Sequence, residues 1–394
     1  MDTRDAVATA LSIDSSILNA AVMRSHALNK FADNSRLLAL FDKAQRGGEI
    51  TVAAIGGSIT EGAWARTNGA DDGNNAQAYT EILDGERCYA ERVADWLREA
   101  FPKAEFNMIN SGIGATPSFL GAFRLERMVL DFQPDLVFVE FSVNDPAAPY
   151  LIDTEIFDAY EAVIRRSLES GAAVCQIFTV DENNRSWQCY HKRIGDYYHI
   201  PMISYKDAIF PDACICEWRK ISPDGIHPNN AGHALIAYLV TEYFKKVMDG
   251  SGTDSSFAVP NKWLYDSTFE QADIIFAADQ EMWKISGAFK YMGKIPDVSY
   301  KWRGAMISDG KGYAEFKIPA GTRRVFVLYF NSSGGFTARL GDGSSQYCNT
   351  KTTQYGRALW QRIYTGGALT QAAPLKIETD SDGVVIIMGV MVSY

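Results

Sequence analysis

Glu49-ITVAAIGGSITE-Gly62 runs from a largely apolar segment, Ile50 to Ile55, through paired glycines to Ser58. An apolar run of this length ending in glycine reads as a strand buried on both faces, and the residues beyond it begin a helix. Strands of that kind belong to parallel sheets with helices packed on each side. Downstream the same alternation recurs. A helical stretch covers Cys88 to Phe101, a strand Glu105 to Ile109, and a helix Phe119 to Phe132. Asp135-LVFVEF-Ser142, Ala172-AVCQIFT-Val180 and Pro201-MI-Ser204 supply three more strands, separated by helices over Glu155 to Ser170 and Gln188 to Tyr198. A final helix runs from Asn229 to Met248. Short apolar strands alternating with amphipathic helices predict an α/β domain with a five-stranded parallel sheet covered on both faces.

Outside this core the chain changes character twice. Residues 1–48 read as a helical lead-in packed on the main domain, because Leu37, Leu38, Leu40 and Phe41 recur at helical spacing before Gly47-Gly48. Asp249-GSGTDS-Ser256 is a Gly/Ser/Asp-rich linker. Beyond it, Gly312-YAEFKI-Pro319, Arg324-VFVLYF-Asn331 and Val384-VIIMGVMV-Ser393 are short strands between glycine-rich turns, including Ser332 to Gly335 and Gly341 to Gly343. This pattern predicts an α/β domain over 49–250 and an all-β sandwich over 251–394. The length of 394 residues fits two domains better than one.

Composition removes several classes of function. The 38 Lys and Arg against 48 Asp and Glu leave a net charge of −10, which repels a phosphate backbone, so nucleic acid is excluded as a partner. No apolar stretch reaches the ~20 residues of a membrane span, which excludes a membrane-embedded role. The N-terminus carries Asp2, Arg4 and Asp5 and is interrupted by Asp14, unlike a secretory leader, and reads as cytoplasmic. The six cysteines show no paired framework, and Cys214-Ile-Cys216 is too tight for a zinc pair, so free thiols are expected and no metal is called for. A homo-oligomer stays open.

Chemistry gathers in four places. Ser58 stands on the glycine-framed turn; a serine there is a helix cap or, if a base and oxyanion donors converge on it, a nucleophile. Thr60 breaks the G-x-S-x-G elbow of the α/β-hydrolases. Ser222-PDGIHP-Asn229 places Asp224 three residues before His227, close enough to bond the ring and leave the other nitrogen as a base, unless the pair only shapes a turn. Asn110-Ser111-Gly112-Ile113-Gly114 follows the second strand, and Val143-Asn144-Asp145 the third. Carboxyl ends of parallel strands are where such sheets bind ligands. The N–H of Ser58, the N–H of Gly112 and the amide of Asn144 are candidate donors to an oxyanion.

In this chain order, Ser58, Gly112, Asn144 and the Asp224/His227 pair resemble the four blocks of the SGNH hydrolases, or GDSL-type esterases. The resemblance covers about residues 49–248. It implies a flavodoxin-like three-layer α/β/α fold, a catalytic Ser58, His227 and Asp224, ester hydrolysis, and no cofactor. One departure stands out: Gly57 occupies the place where that family more often has aspartate before the serine.

Substrate signals are fainter. Arg66-TNGADDGNNA-Gln77 is a polar loop suited to a hydrated substrate, and Trp64 and Trp187 are candidate sugar-stacking residues, although packing is their alternative role. Trp263, Trp283, Trp302 and Trp360 in the C-terminal region are a sugar platform or a sandwich core. An SGNH domain joined to a β-sandwich is similar to bacterial carbohydrate O-acetyl esterases, which implies an acetylated manno- or xylo-oligosaccharide as substrate. A lysophospholipase or acyl-thioesterase is the enzymatic alternative, and a glycan-binding protein on an esterase scaffold the non-catalytic one.

Overall fold

The structure is a computed structural model and describes residues 3–65, 88–147, 153–250, 258–295, 298–351, 358–379 and 383–394. The polar segment 66–77 and residues 251–256 of the Gly/Ser/Asp-rich linker lie outside the described residues. The chain divides into two compact units, Met1–Gly121 with Met128–Asp266, and Ala122–Arg127 with Ser267–Tyr394.

The first unit is built on a parallel sheet of β1 (Glu49–Gly56), β2 (Glu105–Gly112), β3 (Leu136–Glu140), β4 (Ala173–Phe178) and β5 (Met202–Ser204), in the order β2-β1-β3-β4-β5. β3 and β4 are buried along their whole length, as expected for interior strands covered on both faces. One face packs against the helices α1 (Thr3–Leu11), α2 (Ser15–His26), α3 (Ser35–Gln45), α5 (Tyr89–Ala100) and α10 (Asn230–Met248). There Phe41, Tyr89, Phe138 and Phe244 share one apolar cluster. Each such side chain taken from water contributes about 1.5–3 kcal/mol. On the opposite face Gln176 of β4 points away from that cluster and donates to Tyr160 of α7 (Asp153–Glu169) and to the His191 carbonyl of α8 (Gln188–Tyr197). The result is three layers, α/β/α. The short helices α4 (Ser58–Glu61) and α9 (Tyr205–Ile209) and the helix α6 (Ser118–Met128) complete the helices named here.

β2 runs further than its apolar residues predict. Asn110, Ser111 and Gly112 pair with Ala54, Ile55 and Gly56 through the backbone, which requires no apolar side chain. This extension carries the polar block right to the end of the sheet.

The second unit holds two antiparallel sheets. One orders Gln346–Asn349, Gly335–Leu340, Ala373–Thr379, Gly312–Ile318 and Trp283–Gly287; the other orders Ala358–Thr365, Arg324–Phe330, Val385–Ser393, Ala305–Ser308 and Lys290–Met292, with Ala272–Phe276 also on Val385–Ser393. Their inward faces meet in one core containing Phe316, Val325, Val327, Phe336 and Val390. Several of these strands escape sequence reading because they are short and exposed, such as Lys290–Met292. Gly335–Leu340 instead starts in the glycine pair that reads as a turn. Trp283 and Trp302 are buried, and the Trp283 indole N–H donates to the Phe276 carbonyl, so both serve the core rather than a sugar platform. Trp263 falls in the first unit, with the Arg165 guanidinium 4.8 Å above its ring. No single helix among the described residues is long and apolar enough to cross a membrane.

Candidate active site

β1 delivers Ser58 to the carboxyl edge of the sheet. Gly56 and Gly57 are required there by space: a Cβ at Gly56 would lie 2.2 Å from Thr60 Oγ1, and one at Gly57 would lie 2.0 Å from Asn144 Oδ1. Ser58 opens the single-turn helix α4, which Gly62 closes at φ +103°. The Ser58 side chain is nearly buried, and its Oγ lies 2.8 Å from His227 Nε2. His227 Nδ1 in turn lies 2.8 Å from Asp224 Oδ2. The other Asp224 oxygen accepts the backbone N–H groups of Ile226 and His227, both at 2.7 Å, so the turn itself aims the carboxylate. Burial pushes the Asp224 carboxyl up, but the hydrogen bond and charge of His227 outweigh it and hold the group well below the usual carboxylate range. Behind this turn Asn229 caps α10 by accepting from Ala231 and Gly232, which fixes where the His227 loop ends. The three residues singled out from the sequence thus form one hydrogen-bonded row.

The donors around Ser58 differ from expectation at one position. Gly112 N–H donates to Asn110 Oδ1 at 2.9 Å rather than facing a substrate. The glycine serves packing instead, since a Cβ there would lie 2.2 Å from Glu61 N. On the same turn Gly114 N–H donates to Glu61 Oε2, whereas Ala115, at φ +57°, has an N–H with no hydrogen-bond partner among the described residues. Asn144 Oδ1 is buried against Gly57 without a hydrogen-bond partner among the described residues.

Beneath this edge lies a buried polar layer that the sequence reading did not assign. Glu140, at the end of β3, accepts from Thr179 at 2.6 Å and Thr60 at 3.2 Å, and also from the Gly57 N–H. Burial pushes its carboxyl up to about 7. Asp145 is fully buried, accepts the Ser118 N–H at 2.7 Å, and pairs with His191 Nε2 at 2.9 Å. The His191 ring stacks on Tyr160 with centroids 3.6 Å apart. One signal was present: Glu140 is the lone acid in an otherwise apolar strand, a pattern that demands a partner. His233 is a packed histidine; burial pushes it down to about 3, and its Nδ1 accepts the Tyr89 N–H.

Of the two candidate sugar-stacking residues, Trp64 sits at the row of three. Its indole N–H donates to Asp224 Oδ2 at 3.1 Å. Trp187 belongs to an aromatic cluster with Phe157 and Tyr190, its centroid 5.5 and 5.2 Å from theirs. Among the described residues no group of three or more His, Cys, Asp or Glu is placed to hold a metal ion.

Residues 54–235 match the model of the GDSL-like Lipase/Acylhydrolase family. The chain thus holds the whole row Ser58, His227 and Asp224 within the stretch that is similar to that family. Over almost its whole length it is similar to a solved structure described as a two-domain esterase (CEX) active on acetylated mannans. The identity is 24%, the match covers 93% of this chain and 97% of that one, and the TM-score is 0.76. A second structure of that esterase, co-crystallized with mannopentaose, matches at 24% identity over 93% of this chain and 96% of that one, with a TM-score of 0.75. A catalytic mutant of an acetylxylan esterase from Geobacillus stearothermophilus matches at 17% identity over 50% of this chain and 94% of that one, with a TM-score of 0.39. At these identities the likeness to CEX is one of fold, and it extends over both parts of the chain. No curated protein matches the sequence.

Proposed function

We infer that the protein removes O-acetyl groups from carbohydrate, with mannan- or xylan-derived oligosaccharides as the substrate class. The observation that carries the chemistry is the row Ser58 Oγ, His227 Nε2, His227 Nδ1, Asp224 Oδ2, with 2.8 Å at each of its two contacts. In this reading Ser58 Oγ attacks the acetyl carbonyl carbon while His227 Nε2 takes the hydroxyl proton. Asp224 holds the ring in the tautomer that leaves Nε2 free and stabilises the imidazolium. The tetrahedral intermediate collapses, His227 returns the proton to the departing sugar oxygen, and Ser58 carries the acetyl group. Water then attacks the acetyl-enzyme with His227 as base, releasing acetate and restoring the serine.

The oxyanion is assigned to the Ser58 N–H, the Asn144 amide and, in place of Gly112, the N–H of Ala115, which has no partner among the described residues. Such donors are worth most when aimed at the charge that develops in the transition state. The choice of a glycan ester rather than a lipid or thioester rests on the likeness over 93% of the chain to an esterase whose description names acetylated mannans.

The test is acetate release by wild type and Ser58→Ala from acetylated manno-, xylo- and chito-oligosaccharides, beside p-nitrophenyl acetate and octanoate. Release from one glycan class, abolished in the variant, is the expected result. Turnover of octanoate with no glycan deacetylated would move the substrate to lipids or thioesters.

A further inference from the structure

Asp224 Oδ2 receives two donors, the His227 ring at 2.8 Å and the Trp64 indole at 3.1 Å. The segment that bears the nucleophile therefore grips the Asp224/His227 loop at both ends: Ser58 at the imidazole and Trp64, six residues on, at the carboxylate. To get there the chain folds back sharply. Gly62 and Trp64 both have positive φ, +103° and +62°, and the Ala63 and Ala65 N–H groups close the turn on the Ser58 and Gly62 carbonyls. A tryptophan in the left-handed region is unusual and persists only where its surroundings hold it. An indole N–H only donates and does not titrate, so it favours the ionised carboxylate at every working pH.

We propose that Trp64 is a positioning residue that acts through Asp224, holding the carboxylate in line with His227 and moderating its pull on the imidazole, rather than a sugar-stacking platform. This rests on the esterase reading above. A donor shared by Oδ2 withdraws charge that would otherwise stabilise the imidazolium. Removing it leaves Asp224 less well aimed but a stronger partner for the protonated ring, so the rate falls and the acid limb of the pH profile moves upward. Among the described residues, the other charged groups near this pair include Glu182, against Gly225, and Arg219, on the Pro223 carbonyl. Glu61 lies on α4, and His233 and Arg92 lie on the α10 and α5 side.

The experiment uses Trp64→Phe, which keeps an aromatic face and loses the N–H, with p-nitrophenyl acetate and an acetylated manno-oligosaccharide as substrates. The expected result is a loss of about tenfold in kcat for both, the scale of one hydrogen bond to a charged group. An acid limb about half a pH unit higher should accompany it, and in the Asp224→Ala background Trp64→Phe should cost no more than about twofold. Trp64→Leu, which also lacks a donor, is the second variant should the first fail to fold, with the same direction expected. A change confined to KM for the oligosaccharide would make Trp64 a sugar contact and overturn the proposal. Equal losses with and without Asp224, at an unmoved acid limb, would reduce it to packing and also overturn it. Ser58→Ala run alongside judges the esterase reading by itself, because turnover surviving there removes that reading whatever the Trp64 variants do.

Discussion

Gly57→Ala adds one methyl group beside Ser58, the proposed nucleophile, and its consequence follows from distances. The φ of Gly57 is −88°, open to any residue, so the backbone does not resist the change. Space does: the new Cβ would stand 2.0 Å from Asn144 Oδ1, 2.6 Å from its Cγ and 2.8 Å from its Nδ2. Relief requires the whole amide to retreat by about 1 Å or more, because carbon and oxygen do not approach much closer than van der Waals contact. An amide displaced that far no longer reaches the oxyanion that the proposed mechanism assigns to it. Gly57→Ala is therefore expected to lower kcat by about 10²–10³, the size of one lost oxyanion donor, or about 2.7–4 kcal/mol. KM should change little, and the overpacking itself should cost about 1–3 kcal/mol of stability. The decisive assay is a double-mutant cycle on p-nitrophenyl acetate turnover. Once Asn144→Ala has removed the amide, the methyl group has room, so the double variant should be no slower than Asn144→Ala alone. Wild-type kcat in Gly57→Ala, or losses that multiply in the double variant, would refute the reasoning.

Two further substitutions test the layers around this contact. His227→Ala should lower kcat/KM for p-nitrophenyl acetate by several orders of magnitude, and a rate above about one-hundredth of wild type would take the base role away from it. Glu140 is pushed up to about 7 by burial, so the folded state holds its proton more tightly than the unfolded one. That preference stabilises the protein below the unfolded carboxylate range and is lost as pH rises through about 7. Between pH 5 and 8 the melting temperature of the wild type should therefore fall more steeply than that of Glu140→Gln; parallel slopes would show that Glu140 does not titrate there.

The sequence exposes this site because of where parallel sheets keep their functional residues. Ser58, the Asn110 to Gly114 block and Asn144 each follow an apolar run, so the strands announce the positions of the loops. The pairing of Asp224 with His227 is equally local, a turn of three residues closed by its own backbone donors. What stayed hidden depends on contacts between segments far apart in the chain. That the N–H left without a partner among the described residues is that of Ala115, just past this block, follows from Asn110 bonding back to Gly112 and Glu61 reaching Gly114, and no spacing rule foresees the second of these. Trp64 reads as an aromatic after the nucleophile, and only the fold brings it to an aspartate 160 positions away. The weaker reading of the C-terminal sheets has a different cause: edge strands such as Trp283–Gly287 expose most of their residues and lack the alternation that marks a half-buried strand.

Gly57, Glu140 and the Asp145/His191 pair fit one physical requirement. A buried carboxylate is costly, and a buried pair contributes little net stability compared with apolar residues of the same shape. Here both acids sit where loops must be held in one arrangement. Glu140 joins the Gly57 and Thr60 segment to Thr179 at the end of β4. Asp145, next to Asn144 in the chain, joins its loop to the start of α6 through Ser118 and to α8 through His191. Hydrogen bonds are directional and apolar contacts are not, so an apolar layer would stabilise the same elements while leaving their end loops free to shift by the ångström that separates a working donor from an idle one. The polar layer thus trades stability for position, and Gly57 completes it by leaving the Asn144 amide the one place in which that position is reached.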